Sequence, residues 1–330
     1  MTRPRPVTAS DVARVAGVSR SAVSRAFTPG ASVSSRARAA VEAAAERLGY
    51  RPNLIARSLI TRRSGIVGVA AGPPDNPFYP ALMQALSTEL QASGRHILFF
   101  SAPPGQDADP QLAEILRYQV DAFVLASTTL SSRFAADCHD AGIPVVLLNR
   151  VPANHGCSSV TGDNEAGGRA IARHFAATGH RRPAFIAGLE DSSTSRDRER
   201  GFLRGLAEAR LPKPQRACGH YNRAAAEAAT RLLLGGRTPP DALFVANDQM
   251  ACAAIAVARQ EFGRQPGKDL SIIGFDDIPE AAYPEYSLTT WRQPVDEMAR
   301  AAVRILDEEG GALRQVRVRG KLIHRGSCRP

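Results

Sequence analysis

Two groups of residues in this chain have types and spacings capable of chemistry. The first is compact. Arg20 and Ser21 open a short segment that reads as a helix, and Arg25 lies about one turn further on. A guanidinium held there can grip guanine O6 and N7 with two parallel bonds. The alternatives are a contact to phosphate or a solvated charge. Ser19, Ser24, Ser34 and Asn53 suit a backbone-positioning role, which fixes register without reading sequence. The second group is dispersed. Phe78 and Tyr79 follow the first long apolar run, Ser192 and Thr194 precede Arg198, and Tyr221, Asn247, Asp276 and Gln293 come later. Rings that stack, hydroxyls, amides, one Arg and one Asp together suit a small polar ligand. Phe78 and Tyr79 have an alternative as caps of a folded lobe, and Asp276 has one as a helix cap. Trp291 reads as packing.

Enzyme chemistry is not apparent. The sequence holds no G-x-S-x-G, no H-E-x-x-H, no Walker loop and no G-x-G-x-x-G after its first strand. Its seven His residues show no metal-ligand spacing. The five cysteines (Cys138, Cys157, Cys218, Cys252 and Cys328) form no C-x-x-C pair and are odd in number, so they read as reduced thiols. No cofactor and no metal are expected.

Charge separates the two groups. Residues 1–63 hold twelve Arg against three acids (Asp11, Glu42 and Glu46), a net of +9. The remainder holds 30 basic residues against 29 acidic ones. A small module this basic is the footprint of a polyanion partner; the bland alternative is a solubilising face. The N-terminal stretch lacks the apolar run and cleavage site of a secretory leader, and no stretch approaches the ~18 apolar residues of a membrane span. A cytoplasmic chain is expected, with no membrane partner.

The elements that must position these residues follow from caps and periodicity. Thr8 with Asp11 resembles a capping box, Val12, Val15 and Ala16 give an apolar stripe, and Gly17 stops the helix. Ser19 caps a second helix over about 20–27, with Val23 inward. Ser34 caps a third through Leu48, with Gly49 beyond it. Helix, tight turn, helix and a packing helix is the helix-turn-helix pattern. Residues 50–63 form a basic connector with room for a short helix over 54–60, too short to stand alone.

From residue 64 short apolar runs alternate with amphipathic helices. One series has strands at 65–71, 96–102, 122–127 and 144–149, with helices at 80–93, 109–118 and 131–141 between them. A second has strands at 158–163, 183–188, 242–247 and 271–277, with helices ending at 178 and spanning 198–209, 224–234 and 249–262. The tail adds an extended run at 287–294, a helix to 308 and a strand at 321–325. Such runs are parallel strands buried on both faces. Two series give an α/β protein with two doubly wound lobes, and a ligand belongs beyond the carboxyl ends of the strands between them. The domains are then a headpiece (1–52), a hinge and linker (53–63) and a two-lobed core (64–330).

The ordered motifs resemble one family. Asp11-Val-Ala-x-x-Ala-Gly-Val-Ser19, Val23-Ser-Arg25, Val33-Ser34, Arg38, Val41, Leu48-Gly-Tyr50, Pro52-Asn53 and Ala56-x-x-Leu59 are similar to the LacI/GalR regulators. The likeness continues through Asn76-Pro-Phe-Tyr79, Asp163-Asn164, Gly179-His180-Arg181-Arg182, Arg198-x-x-Gly201-Phe202, Asn247-Asp248, Gly274-Phe-Asp-Asp277 and Leu288-Thr-Thr290. It covers essentially the whole chain. The departures are Phe27-Thr28 for a usual Leu-Asn, Ala37 for a common Thr, and Trp291 for an aliphatic residue.

The resemblance implies a ligand-responsive regulator, most simply a repressor, that binds a palindromic DNA operator as a homodimer. It implies a periplasmic-binding-protein-like core with a small-molecule effector in its cleft. Leu59 would be an apolar wedge in the minor groove, with Ala56 letting the hinge approach closely; otherwise Leu59 packs on the core. Arg198 would grip the effector. The residue mix favours a sugar or sugar acid over a purine. The tail ends without a heptad, so a dimer held mainly by the N-terminal lobe is expected rather than a tetramer. The rival classes are an exported solute-binding protein and a doubly wound enzyme. The first conflicts with the basic headpiece, the second with the absent motifs.

Overall fold

In this computed structural model the described residues are 5, 7–28, 30–51, 63–71, 76–101, 114, 116–126, 137–152, 156–308 and 312–330. Asn53, Ala56, Leu59 and the expected hinge helix lie outside them, as does most of the helices expected at 109–118 and 131–141. The chain divides into two compact units, Met1–Ser64 and Gly65–Pro330.

The described residues of the first unit form three helices set by their caps. Helix α1 spans Ala9–Ala16, and Thr8 and Asp11 close the full reciprocal capping box. Helix α2 spans Arg20–Ala26 under the Ser19 cap, and α3 spans Ser35–Leu48 under the Ser34 cap. Val12, Val23, Val41 and the small residues Ala13, Ala26, Ala44 and Ala45 form the core. Such small side chains let three short helices approach closely. Phe27, the departure from Leu, packs its ring 5.9 Å from Tyr50. Arg38 of α3 donates to the Ala26 carbonyl, so a cation satisfies the open carboxyl end of α2.

The second unit contains two six-stranded sheets. In chain order it runs β1 (Ile66–Ala71), α4 (Phe78–Ala92), β2 (His96–Ser101), β3 (Ala122–Ala126), β4 (Val145–Leu148), β5 (Ser158–Gly162), α5 (Asn164–Ala177), β6 (Pro183–Ala187), α6 (Ser193–Glu208), β7 (Gln215–Cys218) and α7 (Arg223–Leu234). It continues with β8 (Ala242–Val245), α8 (Asp248–Gln260), β9 (Ser271–Asp276), β10 (Thr289–Arg292), α9 (Val295–Asp307), β11 (Gln315–Val318) and β12 (Lys321–Ile323). The sheet orders are β11-β5-β4-β3-β1-β2 and β12-β10-β9-β8-β6-β7. Neighbours pair in parallel except β12, which runs antiparallel to β10. Strands such as β3, β6 and β9 are buried at every position, as central parallel strands must be.

Several sequence expectations need correction. Strand β5 opens the second series along the chain, yet it pairs with β4 and β11 and so belongs to the first lobe. Strands β7 and β11 fall outside both expected series. Helix α6 begins at Ser193, not near 198, so Arg198 sits in its second turn and not near its start. Helix α4 begins at Phe78, placing Phe78 and Tyr79 inside its first turn.

Among the described residues, three crossovers join the lobes. The chain leaves the first sheet after Gly162 and returns between Arg292 and Val295, since α9 packs on α4 and the first sheet. It passes back to the second sheet between Val318 and Lys321. No helix among the described residues is long and apolar enough to cross a membrane.

Candidate functional site

In the helical unit every described candidate residue faces outward. Ser19, Arg20, Ser21, Ser24, Arg25 and Ser34 are all exposed. Ser19 Oγ accepts from the Ala22 N–H at 3.2 Å and lies 2.9 Å from Ser21 Oγ. Ser34 Oγ accepts from the Ala37 N–H at 3.2 Å, so the serine caps start both helices. Arg20 and Arg25 project from α2 with no acidic partner among the described residues. A polyanion would meet them without breaking an internal salt bridge.

In the two-lobed unit the candidates lie at carboxyl ends of parallel strands. Phe78 and Tyr79 follow β1; Ser192, Thr194 and Arg198 follow β6; Tyr221 follows β7; Asn247 follows β8; Asp276 ends β9; Gln293 follows β10. Both sheets reverse direction of winding, at β1/β3 and at β6/β8, which is where open α/β sheets bind ligands.

Arg198 and Asp276 come together, 78 positions apart in the chain. Their side chains are almost wholly buried, with Arg198 Nη2 3.3 Å from Asp276 Oδ1. Arg198 Nε donates to Asn164 Oδ1 at 2.8 Å, and Nη1 donates to the Ala246 carbonyl. The guanidinium lies over the Phe275 ring, 3.8 Å from its centroid. Gln293 Nε2 donates to Asp276 Oδ1 at 2.7 Å. Burial pushes the Asp276 carboxyl up to about 6, against the opposing pull of Arg198 and of the Gln293 bond.

Asp276 and Asp277 have φ of 121° and 63°, the left-handed region that non-glycine residues avoid at a cost of roughly 1–3 kcal/mol each. Arg292 and Arg325 hold the Asp277 carboxylate, and Arg198 and Gln293 hold that of Asp276. The turn that presents Asp276 is therefore fixed by four side chains.

Other candidates meet different partners. Asn247 caps α8, its Oδ1 accepting from the Met250 N–H at 3.0 Å, while its buried Nδ2 has no hydrogen-bond partner among the described residues. Tyr221 adopts φ of 54° and brings its hydroxyl 3.3 Å from Thr194 Oγ1. Phe78 and Tyr79 meet edge to face, 5.4 Å apart, and both are buried in the core beneath them. Trp291 packs at 6.4 Å from Phe275, in space opened by Gly167 and Gly320. Those glycines leave the room that the indole fills.

Two further polar residues join the site without having been expected from the sequence. Arg150, just past β4 of the first lobe, donates to Ser192 Oγ and lies 3.4 Å from Thr194 Oγ1 of the second. The Val151 N–H donates to Ser193 Oγ at 3.1 Å. These bonds join the carboxyl ends of the two sheets. The second residue is Asp248, wholly buried, which accepts from Thr290 Oγ1 at 2.6 Å and from the Ile278 N–H at 3.0 Å. Burial, reinforced by Asp276, pushes it up to about 7. A lone Arg after a strand carries no sequence signal. Asp248 has one, as half of the Asn247-Asp248 motif. Among the described residues no cluster of His, Cys, Asp and Glu is arranged to hold a metal ion.

A helix-turn-helix unit followed by a two-lobed α/β core of this topology defines a class: DNA-binding transcription regulators built on a ligand-binding-protein scaffold. Residues 8–53 match the bacterial regulatory proteins of the lacI family, and residues 172–328 match the periplasmic binding protein-like domain. The chain is 33% identical to the HTH-type transcriptional regulator GalS of Salmonella typhimurium, over 91% of this chain and 88% of that one. It is 32% identical to CelR of Thermobifida fusca, over 93% and 92%. The lac repressor dimer bound to operator and the anti-inducer ONPF superposes with a TM-score of 0.85 at 25% identity, covering 99% and 100%. The CelR–cellobiose complex superposes at 0.74 with 29% identity, covering 98% and 100%. The chain belongs to the lacI family of bacterial transcriptional regulators, and it is a regulator rather than an enzyme.

Proposed function

We propose that this regulator is a cytoplasmic repressor that binds a palindromic operator as a homodimer and releases or tightens it when a sugar or sugar acid enters the interlobe cleft. The observation that carries this reading is the joining of Arg150 to Ser192 and Thr194. It brings the carboxyl ends of both sheets, and with them the polar candidates, onto one face between the lobes. Ligands of relatives point the same way, since CelR is described with cellobiose and the lac repressor with ONPF.

On the DNA side, Arg20, Ser21 and Arg25 read bases, and Ser19, Ser24, Ser34 and Asn53 position the backbone. Leu59 wedges the minor groove with Ala56 beside it. On the effector side, Arg198, Asp276, Asn247, Gln293, Tyr221, Ser192 and Thr194 supply polar contacts. Phe78 and Tyr79 supply the apolar wall. Phe99 and Tyr118, large and exposed on the first lobe, support a dimer formed there.

The test is a thermal-shift panel on the full chain with cellobiose, D-galactose, D-gluconate and hypoxanthine. A rise in melting temperature with a sugar or sugar acid, lost in Asn247→Ala, supports the reading. A response to hypoxanthine alone overturns the ligand class.

A further inference from the structure

The three interlobe crossovers are in contact with one another. The Asp163 N–H, in the first, donates to the Val318 carbonyl at the edge of the third, at 2.8 Å. Gln293, in the second, lies so close to Gly162 that a Cβ there would fall well inside contact distance of its Oε1. Gly320, in the third, faces the Arg292 carbonyl and the Trp291 ring just as closely. At 320 a Cβ would meet a backbone carbonyl and a packed ring, whereas at 162 it would displace the end of the Gln293 side chain.

The same residues reach the cleft floor. Gln293 donates to the Asp276 carboxylate at 2.7 Å, and its own N–H donates to the Asp276 carbonyl at 3.3 Å. Asn164 Nδ2 donates to the Gly162 carbonyl at 3.0 Å, and Asn164 Oδ1 accepts from Arg198 Nε at 2.8 Å. One buried chain of bonds therefore runs from Gly162 through Asn164, Arg198 and Asp276 to Gln293, leaving one crossover and ending on the next. Asn164, Arg198, Asp276 and Gln293 are all buried. Buried networks of this kind act as units, since breaking one link strands its neighbours without water.

We propose that Asn164, and Gln293 in addition to its effector contact, tie the Arg198–Asp276 pair to the interlobe hinge, so that a group engaging the pair is felt at all three crossovers. The inference rests on reading the cleft as the ligand site, and it adds the route by which that site reaches the hinge. Few residues need to rotate for a hinge to close. Here those residues are hydrogen-bonded to the cleft floor instead of being isolated from it.

The test is hydrogen–deuterium exchange of the full chain without any ligand, comparing wild type with Gln293→Ala, Gly162→Ala, their double variant and Asp276→Asn. Exchange at 162–166, 293–297 and 318–321 should quicken about tenfold in each single variant, while β6 and β9 stay as in wild type. Gly162→Ala acts by pushing Gln293 off Asp276, so the double variant should be no faster than Gln293→Ala alone. Asp276→Asn should quicken 162–166 and 318–321 although its side chain hydrogen-bonds to neither. Effects confined to the segment carrying each substitution, or additive effects in the double variant, overturn the proposal. Should Asp276→Asn fail to fold, the Gln293 and Gly162 arms decide alone. Failure of the ligand reading would appear separately, as absent thermal shifts with the sugar panel, and would not alter these exchange rates.

Discussion

The helical unit and the second lobe handle charge in opposite ways. In the helical unit the candidate arginines are exposed, and the hydroxyl caps that start its helices each span three positions. In the second lobe Arg198 and Asp276 are buried, and their partners lie 34 and 17 positions away. The first arrangement leaves cations ready for a polyanion, so changing one alters binding and hardly touches the fold. The second makes charged groups part of the core, where each holds several others in place. A substitution there acts on stability and on signalling together.

The largest expected effect tests that contrast. Arg198→Ala leaves the Asp276 carboxylate buried without its cation, and breaking a buried pair costs roughly 3–5 kcal/mol. Urea unfolding should show that loss, whereas Arg20→Ala should stay within about 0.5 kcal/mol of wild type. Equal effects at the two positions would erase the distinction.

A second comparison concerns protons. Asp248 and Asp276 have folded pKa values above the ordinary 3.8, near 7 and 6. A carboxyl raised on folding contributes most favourably below its unfolded value and loses that contribution as pH rises through its folded one. The loss should fall between about pH 4 and pH 7. Asp248→Asn should gain melting temperature relative to wild type as pH is raised across this range. A constant difference would show that Asp248 does not titrate there. A smaller effect than that of Arg198→Ala is expected in the helical unit, where Ser34→Ala removes one cap and costs ~1 kcal/mol in thermal unfolding.

The two regions also differed in how far the sequence revealed them. In the helical unit, function follows from local chemistry. Thr8, Ser19 and Ser34 cap helices within their own segment, and Arg20 and Arg25 are exposed because Val23 and Ala26 take the inner face. Such features are visible in a short window. In the core, the buried strands and their following residues were equally legible, because apolar runs have no alternative reading beside helices. What escaped depends on distant pairing. Strands β7 and β11 are short, half-exposed edge strands, so neither has an apolar run to announce it. Strand β5 falls in the first lobe because of its partners β4 and β11, which chain order does not disclose. Arg198 and Asp276 each carry a local signal as ligand contacts, but that they bond to each other, to Asn164 and to Gln293 is a property of packing alone.

The central claim is that the exposed arginines read a defined DNA sequence on behalf of a separate sensing core. The direct measurement is selection of full-length protein on randomised duplex DNA, followed by sequencing, with Arg20→Ala in parallel. The account predicts an enriched inverted repeat for wild type, loss of preference at one base pair in each half-site for Arg20→Ala, and binding that weakens by about 0.9 log unit per neutralised phosphate for each log unit of salt. Binding with the same salt response but no enriched sequence, or an identical consensus from Arg20→Ala, would contradict it.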